Sequence, residues 1–97
     1  MRFMIFAKQL RDGIREGRIT RTIRIWHRPR VRVGGTYQME GGHIVVESIR
    51  QISITDITGE LARQSGFKGV VDLLKTAKHG SGTNVYLIDF EYVAPCQ

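Results

Sequence analysis

The sequence contains one cysteine, two prolines and one tryptophan among its 97 residues. A single cysteine, Cys96, excludes an internal disulfide and a thiolate metal cluster, and it fits a reducing cytosol. The longest apolar run, residues 3–7, is far shorter than a membrane span or the apolar core of a signal peptide. The three histidines show no metal-ligand spacing. From these absences we expect a cytoplasmic protein with no membrane segment, no metal and no other cofactor.

The length and composition are those of a small folded domain. We assign residues 1–93 to a single domain and residues 94–97 to a C-terminal tail. The hydrophobic fraction of 41% and the charged fraction of 25% are ordinary for a globular protein. A domain of this size is expected to bury roughly 60–70% of the surface that its unfolded chain exposes. The sequence leaves the oligomeric state open.

Positive charge is concentrated in the first third of the chain. The net charge is +6: residues 1–32 hold ten basic and two acidic side chains (+8), and residues 33–97 hold five and seven (−2). Such a one-sided field favours a polyanionic partner, most often nucleic acid. Arginine outnumbers lysine, and its planar guanidinium suits phosphates and base edges. The alternative is a basic surface that only keeps the protein soluble.

Residues 19–26 alternate between polar and apolar positions as a half-buried strand does. One side of this strand carries Ile19, Arg21, Ile23 and Ile25, and the other carries Thr20, Thr22, Arg24 and Trp26. A row of hydroxyl, guanidinium and indole groups is typical of a binding surface. Three structural alternatives stay open: Trp26 could fill the core, Arg24 could pair with Glu47 or Asp89, and Arg21 could extend along the core edge.

The remaining sequence predicts several short strands and grouped helices. Strands are expected at residues 2–6, 19–26, 36–39, 44–54 and 84–93, with an extended piece at 31–33. Helices are expected at residues 7–16, ending at Gly17, then from Asp56 or Thr58 to Gln64, and from Val70 to about His79. This pattern predicts an α+β fold: a small, mostly antiparallel β-barrel of five to six strands with two to three helices.

The stretch from Gly17 to Trp26 resembles the signature of the ASCH family, a branch of the PUA-like β-barrels. That signature is G-x-K-x-x-T-x-R-x-W, and Gly17, Thr22, Arg24 and Trp26 occupy the matching positions. Residues 33–37, 64–67 and 85–90 resemble later segments of the family in the expected order. The resemblance implies a PUA-like barrel whose cleft is lined by the signature strand and closed by a helical insertion. It also implies an RNA-binding or RNA-processing function.

Some ASCH proteins hydrolyse N4-acetylcytidine with a signature lysine, a signature threonine and an insertion glutamate. At the matching positions this sequence has Ile19, Thr22 and Ser65. A threonine hydroxyl without a neighbouring base is a poor nucleophile, and arginine keeps its proton. The enzyme hypothesis, with Thr22 as its catalytic residue, is therefore the alternative. The sequence does not place the other candidate bases: His27, His43, His79, Glu47, Glu60 and Asp89.

The leading hypothesis is a module that binds RNA or other single-stranded nucleic acid, including modified nucleosides. In this hypothesis Thr22 supplies a hydrogen bond, Arg24 contacts a phosphate or base edge, and Trp26 offers a stacking plane. Other basic residues line the approach: Arg18, Arg21, Arg28, Arg30, Arg32 and Lys68. A third hypothesis is a protein-interaction adaptor that adds a strand at residues 29–33.

Overall fold

The computed structural model describes residues 5–77 and 82–95. Within these ranges the chain forms three α-helices, one short 3-10 helix and four strands. In chain order they are α1 (Lys8–Arg15), β1 (Arg21–Trp26), β2 (Thr36–Met39), β3 (Gly42–Ile52), the 3-10 helix (Ile54–Asp56), α2 (Gly59–Gln64), α3 (Val70–Ala77) and β4 (Asn84–Val93). None of the helices in the described ranges is long and apolar enough to cross a membrane.

The four strands form one antiparallel, curled sheet with the order β1-β4-β3-β2. Because β1 and β2 follow each other in the chain but lie at opposite edges, residues 27–35 must cross the width of the sheet. Val31 lies near the middle of this crossing segment and is buried in the apolar cluster on one face. The far end of the segment is held to β3, since Gly34 N donates to Val46 O at 2.8 Å.

The described residues form fewer strands than the sequence predicts, although the α+β class and the antiparallel pairing are confirmed. Two predicted extended pieces do not join the sheet. Ile5 and Phe6 form no strand, and Phe6 instead packs into the core; residues 2–4 lie outside the described ranges. Pro29 cannot donate to a sheet ladder, and the residues after it bury Val31 instead of pairing. The sheet is therefore a half-barrel of four strands.

Local signals placed most of the other elements, although the strand predicted at 44–54 is found at Gly42–Ile52, with the 3-10 helix following it. The predicted strands 36–39 and 84–93 have the bounds that the structure shows. Gly17 follows α1 with φ +78°, the left-handed conformation expected at a helix C-terminus. Of the two candidate caps, Thr58 begins α2, because its Oγ1 accepts from Leu61 N at 3.1 Å. The predicted end of α3 near His79 lies outside the described residues.

Each face of the sheet buries its own apolar cluster. On the α1 face, the buried residues are Phe6, Leu10, Ile14, Ile19, Trp26, Val31, Met39, Ile44, Val46, Tyr86, Ile88 and Phe90. On the α2–α3 face, they are Ile23, Ile25, Ile57, Ala62, Leu73, Val85 and Leu87. The predicted alternation is confirmed within β1, with Ile23 and Ile25 on one face and Trp26 on the other. It is wrong for Ile19, which was predicted to point the same way as Ile23 and Ile25 but lies in the α1-face cluster, because β1 begins only at Arg21. Phe67 packs against both clusters.

A bulge at Glu47 changes which face the second half of β3 presents. Val46 pairs with Phe90 and Ser48 pairs with Asp89, so Glu47 has no partner across the strand pair. As a result the Ile49 side chain points to the α1 face, as that of Val46 does. Ser48 turns to the opposite face, where its Oγ donates to Asp89 Oδ2 at 3.0 Å.

Candidate nucleic-acid interface

Arg24 lies on the α1 face of β1 as a largely buried cation. Its Nε donates to Thr22 Oγ1 at 3.2 Å, and its Cζ lies 4.9 Å from the centre of the Phe6 ring. Burial lowers the pKa of Arg24 from its ordinary value to about 10, because leaving water disfavours the charged form. The side chain therefore remains a cation at neutral pH.

The outer nitrogens of Arg24 have no acceptor among the described residues. Its only hydrogen bond there is the one from Nε to Thr22, and none of the four ion pairs of these residues includes Arg24. The same residues contain no fully buried side-chain nitrogen or oxygen without a partner. Both Nη atoms therefore retain contact with solvent.

The pairing of Arg24 with Glu47 or Asp89, which the sequence left open, is not formed. Asp89 lies on the other face of the sheet, where its Oδ1 accepts from Arg21 Nε at 3.0 Å. Glu47 is the exposed bulge residue. Arg21 is also held by α2, since its Nη1 donates to Gln64 Oε1 at 3.1 Å. Arg21 thus lies at the core edge, as one sequence alternative proposed, and joins the sheet to α2.

Trp26 shares the face of Arg24 but is a core residue. Its side chain is 9% exposed, and its ring centre lies 6.2 Å from that of Tyr86. Above it, the Arg30 Cζ lies 6.0 Å from the indole centre. The burial favours the structural role that the sequence left open. Thr22 is similarly buried at 7%. Thr20, the first member of the predicted row, is exposed but precedes β1; of the three members within β1, Arg24 is the least buried.

The crossing segment adds exposed arginines after the Trp26 end of β1. Arg28, Arg30 and Arg32 are all exposed, while Val31 between them anchors the segment in the core. None of the three forms an ion pair with a carboxylate of the described residues. Trp26 is the last residue of β1, and the crossing segment follows it directly. These arginines are therefore close in the chain to Thr22, Arg24 and Trp26.

The other predicted basic residues lie at a separate place, an open cleft of about 650 Å³ between α1 and the residues that follow α2. We call it the α1–α2 cleft; it is lined by Gln9, Leu10, Asp12, Gly13, Arg18, Ile19, Arg63, Gly66, Phe67 and Lys68. Arg18 and Lys68 were predicted as binding residues. Arg63 was not. The structure thus divides the predicted residues between the Arg24 surface, this cleft and the Arg21–Asp89 pair.

The positions that the ASCH resemblance associates with catalysis have no catalytic constellation among the described residues. Ile19 is buried and packs closely against Gly66, at which an added Cβ would lie 2.7 Å from Ile19 Cδ1. Ser65 is buried and its Oγ donates to Leu61 O at 3.0 Å within its own helix. Thr22 Oγ1 is hydrogen-bonded to Arg24, not to a carboxylate or histidine of these residues. The described part of the chain also has no cluster of side chains that could hold a metal ion.

Two contributors were missed by sequence reasoning. Phe6 was assigned to a strand, and nothing local indicated that its ring would lie under Arg24. Arg63 directly precedes residues 64–67, which the resemblance had already singled out as an insertion near the cleft. Its position was therefore a usable signal.

Comparison with models of known protein families, with curated proteins and with solved structures found no match to this chain. The resemblance to the ASCH family therefore stays a prediction from the sequence.

Proposed function

We propose that the protein binds single-stranded RNA on the surface formed by Arg24 and the crossing segment. The observation that carries the proposal is the state of Arg24: a largely buried guanidinium whose pKa is lowered by burial and whose outer nitrogens meet no protein acceptor among the described residues. Keeping such a charge without a counter-ion costs folding free energy. A phosphate that accepts from both Nη atoms would offset that cost with charge-assisted hydrogen bonds.

The arrangement of charges suits a polymer better than a small anion. Arg24 provides one fixed point, and Arg28, Arg30 and Arg32 extend the positive surface along residues 28–32 of the crossing segment. Exposed arginines bind successive phosphates mainly by releasing counter-ions, so their contribution falls steeply as salt rises. In this proposal Trp26 does not stack on a base. Its buried ring instead packs beneath the Arg30 guanidinium and supports it.

The proposal includes a PUA-like, ASCH-type domain, as the sequence resemblance implies, and a cytoplasmic location. The packing of Ile19 against Gly66 supports the family likeness, because it joins the signature strand to the segment that resembles the insertion. The alternative of an amidohydrolase is disfavoured by the same positions, since neither Ile19 nor Ser65 can move a proton in amide hydrolysis.

The proposal is tested by fluorescence anisotropy with a labelled single-stranded RNA across a salt series. We expect binding that weakens steeply with salt, and about tenfold weaker binding by Arg24→Gln, since a hydrogen bond to a charged group contributes about 1.5–3 kcal/mol. The matched control is Arg50→Gln, which removes an exposed arginine of β3. Equal effects of the two variants, or affinity independent of salt, would contradict the proposal. Single-stranded DNA and an acidic peptide of equal charge are the comparison ligands. Their affinities, compared with that of the RNA, separate RNA recognition from general attraction to polyanions.

A further inference from the structure

The α1–α2 cleft is a second basic site that the Arg24 surface does not explain. We infer that it binds a single nucleotide that carries a terminal phosphate, such as the 5′-phosphorylated end of an RNA strand. This inference rests on the proposed function for its biological ligand, but it concerns different residues. Its volume of about 650 Å³ lies within the range of about 300–1,000 Å³ that is usual for small-molecule sites.

The rim of the cleft has more cations than its own acids can neutralise. Arg18, Arg63 and Lys68 line it together with one carboxylate, Asp12. Asp12 is already ion-paired with Arg15, and Arg18 has Glu16 as an exposed partner with Nε–Oε1 at 2.9 Å. Among the described residues, Arg63 and Lys68 have no ion-pair partner. The rim therefore offers two uncompensated cations to a ligand.

This charge favours a phosphate monoester over an internal phosphate of a strand. A monoester has a charge of about −1.5 to −2 at neutral pH, because its second pKa is about 6. An internal diester has a single charge. Two cations that face one open space gain more from the monoester, and an arginine can hold it with two parallel hydrogen bonds.

The floor of the cleft suits the rest of a nucleotide. Leu10 and Ile19 supply apolar surface, and Phe67 supplies an aromatic ring that is half-buried between the two core clusters. The ring is therefore held in place by its packing. Gly13 and Gly66 let the Ile19 side chain pack between α1 and the residues after α2, since a Cβ at either position would clash with it, so the floor of the cleft is closely packed. A base or ribose can lie against this floor while the phosphate lies at the rim.

The first experiment measures binding to the intact protein by isothermal titration calorimetry, with uridine 5′-monophosphate and adenosine 5′-monophosphate as probes. Uridine, adenosine and inorganic phosphate are the comparison ligands. We expect both nucleotides to bind at least about tenfold more tightly than the nucleosides or phosphate, since charge and apolar contacts add. The double variant Arg63→Gln/Lys68→Gln should lose about tenfold in nucleotide affinity. The matched control is Arg50→Gln/Lys75→Gln, which removes two exposed cations that do not line the cleft and should change affinity less than about twofold.

Equal binding of nucleoside and nucleotide would overturn the inference, because the cations would then contribute nothing. Equal binding of inorganic phosphate and nucleotide would also overturn it, because the floor would then be unused. The same holds if the control variant weakens nucleotide binding as much as the cleft variant does.

A second experiment separates this inference from the proposed function by comparing RNA strands that end in a 5′-phosphate or a 5′-hydroxyl. The Arg63→Gln/Lys68→Gln variant should lose the preference for the phosphorylated strand and retain salt-dependent binding of the hydroxyl strand. Arg24→Gln should weaken binding of both strands and retain the preference. If the wild-type protein binds RNA without any preference for the 5′-phosphate, the inference fails and the proposed function stands. If it binds nucleotides but no RNA, the proposed function fails instead.

Discussion

Arg21 and Arg24 lie three residues apart on the same strand and point to opposite faces of the sheet, and within residues 5–77 and 82–95 only Arg21 meets a carboxylate. Arg21 Nε donates to Asp89 Oδ1 at 3.0 Å, whereas Arg24 Nε donates to the neutral hydroxyl of Thr22 at 3.2 Å. Two chemically identical side chains therefore have different roles. The first stabilises the junction of sheet and α2, and the second has outer nitrogens available for an anion.

Replacing Arg24 by methionine should separate stability from binding. We expect Arg24→Met to unfold at the same or a higher urea concentration than the wild type, because methionine keeps the packing on Phe6 and removes a charge that burial disfavours. The lowered pKa of Arg24 gives the sign of the pH dependence. The folded state disfavours the charged form, so the cost is fully present below about pH 10 and disappears as the pH rises from there toward the ordinary arginine pKa of the unfolded chain. RNA affinity should fall about tenfold. A variant that is less stable by more than about 1 kcal/mol would show that Arg24 is structural.

Replacing Arg21 should have the opposite effect. Arg21→Met leaves the Asp89 carboxylate with Ser48 as its remaining partner among the described residues, and we expect a loss of about 1–3 kcal/mol in the free energy of unfolding. The double variant Arg21→Met/Asp89→Asn should recover part of this loss, which a double-mutant cycle from urea unfolding measures. RNA affinity of the folded protein should stay unchanged. Weaker RNA binding without any loss of stability would instead support the binding role that the sequence predicted for Arg21.

The crossing segment should control the salt dependence of RNA binding. The triple variant Arg28→Gln/Arg30→Gln/Arg32→Gln removes three exposed cations. For single strands each lost phosphate contact lowers the slope of log K against log salt by about 0.7, so we expect a decrease of about 2. Lys75→Gln on α3 is the control and should leave the slope unchanged. An unaltered slope in the triple variant would exclude this segment from the interface.

Trp26 is the only tryptophan of the chain, so its fluorescence reports directly on its role. Because the side chain is 9% exposed, we expect weak quenching by acrylamide and no strong quenching when RNA binds. Trp26→Ala should cost about 3–5 kcal/mol by leaving a cavity in the core. Strong quenching by RNA would show that a base stacks on the indole, as the sequence alone allowed.

The enzyme alternative gives a simple expectation. Incubation of the purified protein with N4-acetylcytidine should release no acetate, because Thr22 has no base within the described residues and Ile19 replaces the lysine of the resembled signature. Chromatographic detection of cytidine at high enzyme concentration is the measurement. Cytidine formation that Thr22→Val abolishes would restore the hydrolase hypothesis.

Much of the fold followed from patterns between near neighbours in the chain. Within β1 the alternation correctly separated Ile23 and Ile25 from Thr22, Arg24 and Trp26, because successive strand residues point to opposite faces whatever the sheet topology. It failed at Ile19, which precedes the strand. The position of Gly17 after α1 was predictable for a similar reason. A left-handed C-terminus is a property of one residue and its helix.

The tertiary structure decided which groups meet. Arg21 and Asp89 are 68 residues apart in the sequence, and Asp89 reaches Arg21 instead of Arg24 because both lie on the same face when β1 pairs with β4. The bulge at Glu47 then brings Ser48 to that face. No local sequence pattern predicts that the residues after a bulge will point to the opposite face.

The sequence by itself determined the chemistry available on each face of β1 and the excess of positive charge near the N-terminus. Only the tertiary structure decided which of those charges is neutralised, which is largely buried without a carboxylate partner in the described part of the chain, and which line a cleft. The physical reason is that side-chain direction depends on local backbone geometry, whereas desolvation and ion pairing depend on what distant parts of the chain bring alongside.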